Sequence, residues 1–187
     1  MPAEVSGTTE QEAAALRAAE FAALRRTITA RGTARVLLTP ISCAAWAVVA
    51  LAIVLYADIP VATLLSLVIL VAGFEAVHAL HVGTDRIGRY IQVFYEGTPG
   101  APQWETAAIT VGPSLPGGGV DPLFSAVFIL AGLLNLGAAA LVPQPTWTEF
   151  SFLGICHAAF VFRVVRARVA AARQRAVELE SFKAVRR

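Results

Sequence analysis

The chain has 187 residues, 57% of them apolar, and a formal net charge of +2; its mean hydropathy is +0.66. So large an apolar share leaves too little polar side chain to coat a soluble globule, and so small a net charge sets up no global field for nucleic acid. The two cysteines, Cys43 and Cys156, sit in apolar runs and form neither a disulfide framework nor a CxxC motif.

Residues 1–35 are rich in Ala, Glu and Arg and have no apolar core close to Met1, so they read as a retained arm and not as a cleaved signal. Thr9 and Glu12 have capping-box spacing, and strong helix formers follow to about Ile28. Acids lie early in this helix and arginines late, which suits its dipole. Phe21, Leu24 and Ile28 give it an apolar stripe, so it is expected to rest on the membrane surface or on a neighbouring subunit.

Four apolar segments follow, and a helix needs about 20 such residues to cross the hydrocarbon. Residues 36–56, 60–82 and 123–142 meet this requirement. Phe150 to Phe162 is short by itself but reaches the length over 147–165, with Glu149 and Arg163 close enough to the ends to snorkel. With all four crossing, every Lys and Arg falls in the arm, in the 83–121 connection or in the tail, and the two opposite connections carry none. This is the partition of the positive-inside rule, with Tyr56 and Trp147 at the outer boundary. The expected fold is an all-α membrane protein with four transmembrane helices in a plasma (inner) membrane. Both termini are cytoplasmic, and cytoplasmic helical extensions precede and follow the spans.

The second segment carries a polar stripe at its inner end. With about 100° per residue, Glu75, His78, His81, Asp85, Arg89, Gln92 and Glu96 share a sector of about 120°, with Arg86 beside them. A stripe of this length predicts a continuous helix to about Glu96. Beyond it, Pro99, Pro102, Pro113, Pro116 and Gly117 to Gly119 mark a loop, with a short strand expected near Ala107 to Val111. The glycine run lacks the Lys and Ser/Thr of a phosphate loop. Residues 166–187 are expected to form a basic helix, attractive to anionic lipid or an acidic partner.

An ionisable residue at membrane depth is a functional-site hypothesis by default, and Glu75 is expected to face the bundle interior. Glu75 and His78 have the Glu-x-x-His spacing of carboxylate-bridged metal sites, present once where such sites use it twice. His157 is expected at a similar depth on the fourth segment. Glu75, His78, His81 and His157 are therefore candidate ligands for a divalent metal, and His78 with His157 for haem. The alternatives are a hydrogen-bonded packing cluster and a proton path. The chain carries no complete catalytic set, and four spans without an evident repeat leave little room for alternating access. It reads first as a non-enzymatic accessory or scaffold subunit of a larger membrane assembly, partnered by lipid and by other subunits or its own copies. Ala72 with Ala76, and Gly154 with Ala158, would admit close helix approach. A metal- or haem-binding redox protein and a small transporter or proton pathway are the rival readings.

Overall fold

The computed structural model describes residues 3–97, 100, 103–111, 122–142 and 146–187. The glycine run and the prolines at 99, 102, 113 and 116 lie outside them. Five helices carry the described residues: α1 (Ala3–Tyr56), α2 (Thr63–Phe94), α3 (Trp104–Val111), α4 (Pro122–Ala139) and α5 (Trp147–Arg186). A short 3-10 turn, Pro60–Ala62, leads into α2.

The fold is all-helical, with α1, α2 and α5 each long and apolar enough to span a membrane. Apolar runs become helices because backbone groups without water must be satisfied within their own segment. α4 is shorter, 18 residues, or about 27 Å at 1.5 Å per residue. Large apolar side chains face outward around all four: Leu51 and Leu55 on α1, Leu65 and Val68 on α2, Leu130 and Leu134 on α4, and Phe152 and Ile155 on α5.

α2 is the central element, touching α1, α3, α4 and α5. Its inward face, Leu67, Leu70, Phe74 and Val77, meets Phe128 and Ala131 of α4 and Phe160, Val164 and Ala167 of α5 in one buried cluster. Phe74 stands at its centre, with its ring edge-on to Phe128 at 5.6 Å and to Phe160 at 6.2 Å. α1 closes on α2 at Gly73, where a β-carbon would overlap Ser42. Small residues allow that approach, which is how helices associate where apolar burial gives no preference for protein over lipid.

Three local expectations change. The arm and the first apolar segment are one helix of 54 residues, running through Thr9, Gly32 and Pro40 without a break. The capping box instead forms at the start of α5, where Thr146 accepts from the Glu149 amide at 3.3 Å and Glu149 accepts from the Thr146 amide at 2.9 Å. Residues 107–111 are helical, inside α3, and not a strand. The reason lies at the end of α2: Glu96 accepts from the amides of Glu105 at 2.6 Å and Thr106 at 2.8 Å, capping two of the four donors that a helix start leaves open.

Beyond the apolar half, α1, α2, α3 and α5 continue into a polar half with its own small core. Tyr90 packs on Phe94 at 4.6 Å and on Phe182 of α5 at 5.8 Å, and Phe21 of α1 packs on Tyr95 at 5.3 Å. The Arg186 guanidinium donates to the carbonyls of Val93 and Gly97, closing the end of α2.

Candidate functional site

The chemistry-bearing residues lie at three levels along the bundle. The level nearest the Pro60 end is a buried polar node. Asn135 of α4 is fully buried. Its Oδ1 accepts from Trp46 Nε1 of α1 at 2.9 Å and from Ser66 Oγ of α2 at 2.6 Å. Its Nδ2 donates to the Thr63 carbonyl at 3.1 Å and to His157 Nε2 of α5 at 3.0 Å. The Leu153 carbonyl lies 2.7 Å from His157 Nδ1, so that nitrogen carries the proton and Nε2 is the acceptor. One carboxamide thus joins all four apolar helices with its full hydrogen-bonding capacity used. Sequence alone places Asn135 deep in the third apolar segment but gives it no partner. Its signal was a lone Asn in an otherwise apolar helix.

This geometry separates the two histidines expected to meet. Thr63 and Ser66, near the node, lie about 18 Å or more along α2 from His78, at 1.5 Å per residue. His157 is turned to Asn135, and its Nε2 lone pair is engaged there. Among the described residues no three His, Cys, Asp or Glu side chains are grouped as a metal site. The ligand set Glu75, His78, His81 and His157 is therefore not brought together, nor is the His78 and His157 pair suggested for haem.

At the middle level Glu75 does not face the interior. Its side chain is 41% exposed and pairs with Arg163 of α5 at 2.7 Å. Pairing satisfies a carboxylate at this depth without burying it. His78 stacks on Phe74, ring centroids 5.7 Å apart. His81 Nδ1 lies 3.1 Å from Arg35 Nη1; a guanidinium only donates, so Nδ1 accepts and the proton sits on Nε2.

At the third level the polar stripe of α2 holds the extension together. Arg89, 4% exposed, pairs with Glu178 of α5 and with Asp85 at 3.6 Å. Asp85 also pairs with Arg175 at 3.1 Å, and Arg86 with Glu178 at 2.9 Å. Burial pushes the Glu178 carboxyl up, but Arg86, Arg89 and Gln174 outweigh it and hold the group below its usual range. Glu20 of α1 accepts from the Tyr90 hydroxyl at 2.9 Å and raises the pKa of that phenol. Arg25 reaches Glu105 of α3 at 3.1 Å, although burial, the larger influence, leaves the Glu105 carboxyl above its usual value. Glu96 is taken up by α3. Gln92 leaves its Oε1 buried and unbonded.

Fold and sites define the class as an all-helical protein with three helices able to span a membrane, knit by a buried amide node and an ion-pair network. No family model matches the chain, nor does any curated protein or solved structure.

Proposed function

We propose that the protein is a four-span integral membrane protein of the plasma membrane, with both termini cytoplasmic. In this reading it acts as a non-enzymatic scaffold or accessory subunit in a larger membrane assembly or in an oligomer of its own copies. The observation that carries the reading is the use to which the polar residues are put. Glu75, Asp85, Arg89, Glu96, Glu178 and His157 are all engaged within the chain, joining helices to one another. That arrangement makes a rigid platform and not a reacting centre.

Three further observations support it. The outward apolar residues of α4 match those of α1, α2 and α5, as a fourth lipid-facing helix requires. All basic residues stand on one side of the four apolar segments, the side that the positive-inside rule makes cytoplasmic. Ala72 and Ala76 are exposed on α2, a small-residue face open to another helix.

The test is extraction into native-lipid discs, with mass determined by light scattering. An oligomer or a stoichiometric complex with another membrane protein is expected. A population that is only monomeric and partner-free would remove the scaffold reading.

A further inference from the structure

At the boundary between the apolar and polar halves, a cavity opens between α1, α2, α4 and α5, lined by Arg35, His78, His81, Phe124, Ser125 and Arg168, with Phe74 and Val164 at its floor. Neither Arg35 nor Arg168 lies within ion-pair distance of a carboxylate among the described residues. The nearby acids are already engaged: Glu75 on Arg163, and Asp85 on Arg175 and Arg89. Arg25, Arg86, Arg89, Arg163 and Arg175, in contrast, each have an acidic partner. Ser125, 6% exposed, brings a hydroxyl from the first turn of α4.

Two guanidinium groups and a hydroxyl that converge with no ion-paired carboxylate among the described residues form a site for a tetrahedral oxyanion. Size narrows the ligand further. The cavity volume is about 20 Å³, room for one or two waters, so a phosphate oxygen enters while the rest of the ligand stays outside. Phe124, partly exposed on the wall, would border the acyl chain.

We propose that this cavity binds a phosphate group, carried on the headgroup of an anionic phospholipid of the adjacent leaflet. Basic pockets between spanning helices on the cytoplasmic side take such headgroups. The inference rests on the membrane reading above and adds a specific ligand to it. Its test runs in micelles, where orientation has no influence, so a wrong topology and a wrong ligand are told apart.

The full chain, purified and stripped of lipid, is titrated by calorimetry with dihexanoyl phosphatidylglycerol, dihexanoyl phosphatidylcholine and inorganic phosphate. The glycerol lipid is expected to bind in preference to the choline lipid. Arg168→Gln and Arg35→Gln should each weaken it by about tenfold or more, the loss of one charge-assisted contact. Arg166→Gln is the control: Arg166 stands over Phe162 on the outside and its loss should change affinity little. Inorganic phosphate binding as tightly as the lipid, with the same dependence on Arg35 and Arg168, supports the phosphate site and makes the source soluble. Equal binding of both lipids overturns the proposal, as does an affinity unchanged in Arg168→Gln or lowered equally in Arg166→Gln. Arg168 is exposed and unpaired, so its variant remains decisive if Arg35→Gln fails to fold.

Discussion

The Asn135 carboxamide of α4 donates to the Nε2 of His157 on α5 at 3.0 Å, and the same carboxamide holds α1 and α2 through Trp46, Ser66 and Thr63. Four helices are registered by one side chain. Interhelical hydrogen bonds in membranes average about 0.6 kcal/mol each. Replacing Asn135 by Leu removes four at once and strands the indole and imidazole nitrogens, so a loss of about 2 kcal/mol is expected. Thermal unfolding in detergent measures it. A melting temperature equal to that of the native protein would show that the node does not hold the bundle.

In the Arg89 and Glu178 pair, Arg89 is buried, 4% exposed, and Glu178 nearly so, 14% exposed. Removing one partner leaves an uncompensated charge, so Arg89→Ala should cost about 3 kcal/mol in the polar half, and Arg89→Met with Glu178→Leu should recover most of it. Hydrogen exchange over residues 169–186 is the readout. Equal protection in the single and double variants would contradict this account.

Acid should act on the same pair. Glu178 is held below its ordinary value of 4.5 in the folded chain, so the folded state favours the carboxylate. Its stabilisation is fully present above the unfolded pKa and is lost as pH falls through the folded one. Amide protection in the C-terminal half of α5 is expected to stay level from pH 8 to about 5 and to fall below about pH 4. A decline that begins near neutrality would point to a different group.

Gly73→Ala places a β-carbon against Ser42. Alanine is the better helix former by about 1 kcal/mol, yet overpacking at this contact should exceed that gain and leave a net loss of about 1–2 kcal/mol. Ser42→Gly in the same chain should restore stability. A stabilised single variant, read by unfolding in detergent, would mean that α1 and α2 lie farther apart.

The helical class was readable from residues alone, because apolar runs of spanning length satisfy their backbone groups within the segment as helices. The continuous polar stripe on α2 gave its length to within a few residues. The merger of arm and first segment was hidden because Gly32 and Pro40 are local signals of a break, and packing along α2 overrode them. α3 was misread as a strand because its cap, Glu96, is supplied from a different helix. Glu75 was expected inside because its partner, Arg163, lies 88 positions away. The meeting of His78 and His157 was inferred from approximate depth, and Asn135, whose pairing depends on tertiary contact, displaced it.

Glu96→Ala tests that cap directly. α3 has 8 residues, too few to hold without help, and losing a capping carboxylate costs about 1 kcal/mol. Exchange at Glu105 to Val111 should rise toward that of an unstructured segment while α2 up to Ile91 stays protected. Unchanged exchange over 104–111 would remove Glu96 from this role.

The account depends most on four crossings with both ends inside, and cysteine labelling of intact cells tests it most directly. In a chain with Cys43 and Cys156 replaced by Ala, single cysteines are placed at Asp58, Ala140, Gln103 and Arg187 and exposed to a membrane-impermeant maleimide. Asp58→Cys and Ala140→Cys should label at once, and Gln103→Cys and Arg187→Cys only after the membrane is opened. Immediate labelling of Arg187→Cys, or protection of Ala140→Cys, would contradict the four-span arrangement.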